Sequence, residues 1–266
     1  GGELVSQIDF MGRTTLHQYD NRGRRILTTH GDGRITQASY DAAGRRTSLS
    51  EGGNSWSWQY DARDRVTQLT QPAGVVSYQF DALNRLREVR TGTPSAPPTA
   101  STPAHRYEYA ANGLRTAEQR PNGTRTEYAY NVRNHVTSVL HKAAAGALLL
   151  GLSYSVDATG LRNSITETVD GGALNRVTAY DYDANTRLIR EEITRAGQTG
   201  NQVTSWVYDD VGNRVSQTVD GVTLSYTYDA NDRLLTESDG TSHVYDNNGN
   251  LVRTEKGSTT QRYSWD

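Results

Sequence analysis

The sequence of 266 residues contains no cysteine, one methionine and only two phenylalanines. The lack of cysteine excludes disulfides, thiol nucleophiles and cysteine-ligated zinc or iron–sulfur sites, although it does not fix the compartment. Lysine is also nearly absent, because Lys142 and Lys256 are the only two among 28 basic residues. Arginine suits fixed, fork-shaped pairing, so we expect many of these charges to be structural.

The chain also lacks an excess of charge of one sign and any long apolar run. Its 28 basic and 30 acidic residues give a formal net charge of −2, which argues against a nucleic-acid or membrane-surface partner. The most apolar run, residues 143–152, is far shorter than the ~20 residues that a membrane helix needs. No N-terminal signal peptide is recognisable, and we expect the chain to be a segment of a longer protein. The 16 tyrosines and 4 tryptophans favour an ordered, thinly cored repeat protein over disorder.

A short signature recurs along the chain at intervals of about 20 residues. The first copy, Tyr19-Asp20-Asn21-Arg22-Gly23-Arg24, is followed by copies at 40–45, 60–65 and 80–85. Weaker copies begin at Tyr109, Tyr130 and Tyr154, and Trp265 begins a last, incomplete one. We assign a structural role to the signature residues Tyr19, Asp20, Gly23, Tyr40, Asp41, Gly44, Arg45, Tyr60, Asp61, Arg65, Phe80, Asp81, Arg85, Tyr182, Asp183, Arg187, Tyr208, Asp209, Gly212, Arg214, Tyr228, Asp229, Arg233, Tyr245, Asp246 and Gly249.

Each copy has the pattern of a β-hairpin. Aromatic residues two apart, such as Trp58 and Tyr60, precede the signature and place their rings on one face of a strand. The Asp accepts backbone N–H groups in a tight turn, and a Gly, Asn or Asp near its end tolerates a left-handed conformation. Val66 and Leu69 lie three apart after the turn, which predicts a β-bulge in the second strand.

A second turn in each unit, such as Gly52-Gly53-Asn54, gives two strands per repeat and roughly two dozen strands in all. The predicted fold is all-β, a continuous antiparallel sheet of tandem hairpins, curved or spiral. We divide the chain into repeats at 1–90, a flexible or extended Pro-rich loop at 91–105, open to proteolysis, and repeats at 106–266. Residues 143–152 are a second expected insertion, whose leucines Leu148, Leu149 and Leu150 pack back on the sheet.

The Tyr-Asp-x-x-Gly-Arg signature at this spacing resembles the YD repeats of the Rhs family, whose members include Tc toxin C components, wall-associated toxins and teneurins. The resemblance covers nearly the whole chain outside the two insertions. It implies a sheet that winds into part of a hollow shell, which in bacterial members encloses a toxin domain. Bacterial members often cut their own chain near an Asp-Pro-x-Gly-Leu segment. This sequence has no Asp-Pro pair, so that activity does not carry over.

We interpret the Asp and Arg four residues apart as ion pairs that close each turn. An active site needs one exceptional arrangement, whereas this pair recurs along the chain. His17 and His243 replace an aromatic residue of the repeat and His135 replaces its Arg, none with the spacing of a metal motif. We therefore predict no catalytic, cofactor-binding or metal site, no cofactor and no enzyme activity. Two functions remain open: a non-catalytic shell segment that sequesters a toxin or other cargo, and a recognition module that binds glycan through its aromatic ladder.

The expected partners follow from these two hypotheses. They are the rest of the parent shell or an encapsulated toxin domain, with glycan as the alternative. About 24 strands make a sheet too wide to close into a self-filled barrel, so its unpaired edges predict self-association. The resemblance implies a secreted or cell-surface bacterial protein.

Overall fold

The computed structural model describes residues 3–169 and 175–265, and within them the chain forms 24 β-strands. The chain divides into two compact units, Gly1–Thr126 and Glu127–Asp266. The all-β class predicted from the sequence is confirmed, as is the number of about two strands per repeat.

The first unit is a run of antiparallel hairpins in which each strand pairs with the next along the chain. Its strands are β1 (Ser6–Ile8), β2 (Thr14–Tyr19), β3 (Arg25–Thr29), β4 (Ile35–Tyr40), β5 (Arg46–Glu51), β6 (Asn54–Tyr60), β7 (Val66–Gln71), β8 (Gly74–Phe80), β9 (Leu86–Gly92), β10 (Ala104–Tyr109) and β11 (Arg115–Gln119). The strand β12 (Arg125–Tyr130) contains the division between the units.

The second unit repeats the same design. Its strands are β13 (Val136–Lys142), β14 (Leu148–Val156), β15 (Arg162–Val169), β16 (Arg176–Tyr182), β17 (Leu188–Arg195), β18 (Gln202–Tyr208), β19 (Arg214–Val219), β20 (Val222–Tyr228), β21 (Leu234–Glu237), β22 (Thr241–Tyr245), β23 (Leu251–Lys256) and β24 (Thr259–Arg262).

The two faces of the sheet differ in chemistry, as β6 illustrates. Trp56, Trp58 and Tyr60 are half-buried on one face, whereas Ser55 and its neighbours two apart are exposed on the other. We call these the aromatic face and the polar face. The buried apolar residues among those described are few: Val75, Ala104, Ala117 and Tyr226. The core is therefore thin, as the sequence analysis predicts.

The predicted β-bulge is present in the second strand of the signature hairpins. Tyr60 pairs with Val66 while Gln59 pairs with Gln68, so Thr67 is the extra residue. The bulge places Val66 opposite Tyr60 and Leu69 opposite Trp58 on the aromatic face. The same register shift occurs in the hairpins that end at Tyr19, Tyr40, Phe80, Tyr109, Tyr182, Tyr208, Tyr228 and Tyr245.

The Pro-rich loop is shorter and more firmly held than predicted. The strand β9 extends to Gly92 and β10 begins at Ala104, so the loop comprises residues 93–103. The guanidinium of Arg90 donates to the carbonyls of Thr102 at 2.9 Å and Ala100 at 3.1 Å. Arg90 is only 7% exposed. The loop is therefore anchored on the polar face, because Arg90 pairs with Ser77 there.

Two details of the repeat pattern differ from the sequence analysis. Residues 143–152 are not an insertion: 143–147 form a turn and Leu148 begins β14, which pairs with β13 and β15. The weak copy assigned to Tyr154 has its turn at Asp157, so Val156 occupies the tyrosine position. The sequence analysis expected the three leucines to pack on the sheet together. Side chains alternate between the two faces of a strand, so three consecutive leucines cannot share one face. The division of the chain at the Pro-rich loop stays a prediction.

Candidate functional site: contacts between successive turns

The Asp of each signature organises its own turn, and Asp61 shows how. Its Oδ1 accepts hydrogen bonds from the backbone N–H groups of Arg63 at 2.8 Å and Arg65 at 3.1 Å. Its Oδ2 accepts a hydrogen bond from Nε of Arg65 at 2.7 Å. The carboxylate thus satisfies two turn amides and pairs with one guanidinium.

The same Asp–Arg ion pair recurs in turn after turn. It joins Asp20 to Arg24, Asp41 to Arg45, Asp61 to Arg65, Asp81 to Arg85, Asp183 to Arg187 and Asp229 to Arg233. In the turns of Asp209 and Asp246 the fifth residue is Asn213 or Asn250, whose amide donates to the Asp at 3.1 and 3.0 Å. Arg214, which the sequence analysis counted with the signature, instead begins β19 and pairs with Tyr208 in the ladder.

The fourth residue of each turn has a left-handed backbone. Gly44 has a φ of 90°, and Asp64, Asn84 and Thr186 adopt 63°, 66° and 63° at the equivalent position. Glycine takes this conformation freely and Asn or Asp tolerates it, whereas a β-branched threonine there is strained. The predicted turn chemistry is therefore confirmed, with Thr186 as its least favourable member.

The arginine of each turn also reaches the next repeat along the chain. Nη1 of Arg45 donates to the carbonyl of Asp61 at 3.1 Å, and its guanidinium carbon lies 4.7 Å from the ring centroid of Tyr60. At this distance a guanidinium is attracted to the face of the ring. The equivalent stacks are Arg24 on Tyr40, Arg65 on Phe80, Arg85 on Tyr109, Arg187 on Tyr208 and Arg233 on Tyr245.

The tyrosine hydroxyl completes the connection by bonding back to the preceding repeat. Tyr60 donates to the carbonyl of Arg46 at 2.8 Å. Similar bonds run from Tyr19 to Leu4, Tyr40 to Arg25, Tyr109 to Leu86, Tyr182 to Arg162, Tyr208 to Leu188 and Tyr228 to Arg214. The signature Arg and Tyr side chains therefore connect neighbouring repeats, while the Asp side chains hold each turn. We call the combined set the turn ladder.

The charges of the turn ladder are strongly paired. The pKa of Asp61 is lowered to about 2, first by the side-chain hydrogen bond from Arg65 and then by the turn amides, against the opposing effect of burial. The pKa values of Asp81 and Asp183 are also lowered, chiefly by the backbone amide of the arginine four residues later. Carboxylates held ionised in this way are poor general acids near neutral pH.

Three successive turns lack the Asp–Arg pair. The turns 110–114, 131–135 and 157–161 keep the backbone hydrogen bonds of the signature turn but end in Leu114, His135 and Leu161. Asn131 substitutes for the Asp by accepting the amides of Arg133 and His135, and Asp157 accepts that of Leu161. These substitutions explain why the corresponding copies are weak in the sequence.

The sequence analysis missed one turn that has the same Asp–Arg pair. Asp9 accepts hydrogen bonds from the amides of Met11 and Arg13 at 2.9 Å and from Nε of Arg13 at 2.8 Å. It closes the turn between β1 and β2, at the opposite ends of the strands from the signature turns. The Asp-x-x-Gly-Arg spacing of residues 9–13 was the available signal, and the absence of a preceding tyrosine concealed it.

The histidines lie within the repeats and bond to neighbouring side chains. His17 Nδ1 is 3.2 Å from Oγ1 of Thr28, and His243 Nε2 is 3.0 Å from Oε1 of Glu237. Within residues 3–169 and 175–265, no group of three or more His, Asp or Glu side chains is placed to hold a metal ion. Over the same described residues, no helix is long and apolar enough to cross a membrane.

Comparison with known proteins agrees with this geometry. The RHS Repeat family model matches residues 40–76 and 208–243, each of which contains signature turns of the ladder. No curated protein matches the chain.

Solved structures of Tc toxin components share the fold. A crystal structure of TcdB2-TccC3 matches 97% of this chain with a TM-score of 0.64 and 17% identity. The Photorhabdus luminescens Tc holotoxin pore with a mutated TccC3 matches 94% with a TM-score of 0.62 and 17% identity. The chain spans only 16% and 15% of the lengths of those chains. Residues 40–76 and 208–243 are therefore similar to RHS repeats, and the chain shares its fold with components of Tc toxins.

Proposed function

We propose that the chain is a non-catalytic wall segment of an encapsulating shell that sequesters a toxin or other cargo. The observation that carries this proposal is the turn ladder. Arg45, for example, contacts the backbone and the ring of the next repeat, while Tyr60 bonds back to the preceding one. Contacts of this kind join neighbouring repeats, and they engage the signature side chains within the sheet.

A wall requires that cargo and proteases be kept apart by a surface with few gaps. Antiparallel strands about 4.8 Å apart leave no space for a polypeptide to pass between them. The paired backbone groups within each unit are not available to recruit other strands except at the sheet edges. The signature residues therefore serve, in this proposal, to align neighbouring hairpins, and they take part in no chemistry.

The likeness to Tc toxin structures supports a partner of the toxin kind and a secreted or cell-surface location. One of those structures is TcdB2-TccC3, and the other is a Tc holotoxin pore with a mutated TccC3. This chain covers about one sixth of the matched chains, and we propose an enclosed partner by analogy with them. The cargo would lie in parts of the polypeptide beyond this array or in a separate chain.

A recognition module that binds glycan through the aromatic ladder is the alternative. The rows of half-buried aromatic side chains, such as Trp56 and Trp58, favour it, because sugar rings stack on such surfaces. The signature tyrosines are poorly suited to that role. Arginine already covers a face of Tyr40, Tyr60 and Tyr109, and their hydroxyls are bonded to backbone carbonyls.

Protection from proteolysis tests the shell proposal. The natural polypeptide that contains these repeats is treated with a protease of broad specificity, and the survival of the segments outside the array is followed by mass spectrometry. Enclosure predicts that a segment outside the array survives at protease concentrations that digest it once the shell is unfolded. Equal digestion of that segment in both states would contradict the proposal. Saturable binding of a saccharide, lost on substitution of Trp58, would favour the alternative.

A further inference from the structure

A groove of about 390 Å³ lies on the aromatic face of the first unit, over β2 to β5. Its lining includes His17, Arg25, Thr28, His30, Thr36 and Arg46. The lining includes two arginines and two histidines but no aspartate or glutamate. This is unusual in a chain whose acidic residues outnumber its basic ones.

Three carboxylates near the groove are paired with cations that do not line it. Asp20 pairs with Arg24, Asp41 with Arg45, and Glu51 with Arg34, all outside the lining of the groove. Arg25 faces Tyr19 across the ladder and Arg46 faces Tyr40, so both arginines extend from the aromatic face. The positive charge of the groove is thus not neutralised by its own walls.

Two histidines, His17 and His30, also line the groove. His17 is 7% exposed and contacts the hydroxyl of Thr28, and Nε2 of His30 is 2.8 Å from the hydroxyl of Thr36. The pKa of His17 is lowered, first by burial and then by the positive charges of Arg25 and His30. His17 and His30 thus line the groove together with Arg25, and the threonine hydroxyls add neutral hydrogen-bonding groups beside them.

We propose that this groove binds a compact oxyanion, namely the phosphate group of a small soluble phosphorylated molecule. Arginine guanidinium groups bind phosphate oxygens through charge-assisted hydrogen bonds, and hydroxyls complete the shell of a tetrahedral anion. The groove volume admits a phosphate together with a substituent of the size of a sugar. The site is independent of the shell, since it needs only β1 to β5.

The second unit provides matched controls. Arg162 and Arg214 occupy the same position after the turn as Arg25 and Arg46, and their carbonyls accept the same tyrosine hydroxyl bond. Their guanidinium carbons lie 4.2 Å from the ring centroid of Tyr154 and 4.7 Å from that of Tyr226, as that of Arg25 lies 5.9 Å from Tyr19, but neither arginine lines the groove. A substitution at any of the four positions leaves the backbone acceptor in place.

Calorimetric titration of the full chain with pyrophosphate and with ribose 5-phosphate tests the proposal, with ribose as the neutral control. Arg25→Gln and Arg46→Gln should each weaken binding of both phosphorylated probes about tenfold, the loss expected for one charge-assisted hydrogen bond. Arg162→Gln and Arg214→Gln should leave the affinity unchanged. Thermal melts establish that each variant is folded at the temperature of the titration.

Three outcomes overturn the inference: no saturable binding of either phosphorylated probe, equal weakening by all four substitutions, or ribose binding as tightly as ribose 5-phosphate.

Discussion

The aspartate at the first position of each signature turn accepts the hydrogen bonds that hold the turn together. Asp61 alone accepts two backbone amides and a guanidinium, and Arg65 in turn lies over the ring of Phe80. Because these contacts depend on an ionised carboxylate, the stability of the array should depend on pH in a direction fixed by the aspartate pKa values.

Acid should destabilise the protein over a defined interval. The folded pKa of Asp61 is about 2, below the ~3.9 of an unfolded aspartate, so its contribution is complete above about pH 4. That contribution is lost as the pH falls through 4 towards 2. Melting followed by circular dichroism should show the loss, and Asp61→Asn should make the profile less steep. A melting temperature that stays constant down to pH 2 would contradict this.

The hydroxyl of a signature tyrosine should contribute separately from its ring. Tyr60→Phe removes the bond to the carbonyl of Arg46 but keeps the stack with Arg45, as Phe80 does naturally beneath Arg65. We expect a loss of about 0.5–1 kcal/mol in the free energy of unfolding, measured with urea. Tyr60→Leu, which also removes the stack, should cost more. Equal losses for the two variants would show that the stack contributes nothing.

Thr186 offers a stabilising substitution. It holds a φ of 63°, which costs an L residue ~1–2 kcal/mol and is worst for a β-branched one. Thr186→Gly should raise the free energy of unfolding by about 1 kcal/mol, after the entropy that glycine adds to the unfolded chain. Thr186→Ala, which keeps the Cβ, should gain less. A gain from alanine as large as that from glycine would refute the role of backbone strain.

At the scale of elements, the loop 93–103 illustrates how a single buried side chain orders a segment rich in proline. Arg90 bonds the carbonyls of Ala100 and Thr102 and pairs with Glu88, which also pairs with Arg106. Val75, on the same polar face, is 2% exposed. The loop therefore belongs to the sheet surface, although its composition predicts flexibility.

Removal of that anchor should release the loop without unfolding the hairpins. In Arg90→Ala, amide exchange in residues 93–103 should accelerate about tenfold or more, because two charge-assisted hydrogen bonds are lost. Arg106→Ala is the matched control, since Arg106 also pairs with Glu88 but is half exposed. Exchange in β4 and β5 should stay unchanged in both variants. Faster exchange across the whole first unit would mean that Arg90 supports the fold and not the loop alone.

At the scale of the whole molecule, β1 pairs with β2 and β24 pairs with β23 among the described residues, and we propose that further strands can add at their other edges. The edge strand β1 is exposed at all three residues, and β24 is exposed at all four. Ile8 and Phe10 nearby are also exposed, at 69% and 100%. Unpaired strand edges beside apolar side chains favour the addition of further strands.

Association through these edges should depend on concentration. Light scattering on the purified chain should show a rising mass as the concentration increases. Ser6→Pro in β1 should reduce it by removing a backbone donor that faces away from β2, since Val5 and Asp9 on either side bond to the neighbouring strand. The control is proline at Asn21, a turn position away from the edges. A strict monomer at high concentration, or association unaffected by the edge substitution, would exclude this route.

The sequence alone was sufficient to predict the hairpins, their turns and the bulge. Tyr19 to Arg85 repeat with a period of about 20 residues, and strand alternation with turn chemistry converts that period into structure. Local rules acting within six or seven residues were enough. The same rules failed at residues 143–152, where apolar composition concealed an ordinary turn and strand.

What only the tertiary structure decided are the contacts between residues 12 or more apart along the chain. Arg45 meets Tyr60 and Asp61, and Arg90 meets the carbonyl of Thr102, because strand register brings distant side chains together. The basic groove likewise joins His17, Arg25 and Arg46 from β2, β3 and β5. No local sequence pattern encodes these contacts, since each depends on the pairing, twist and bulge of several strands at once.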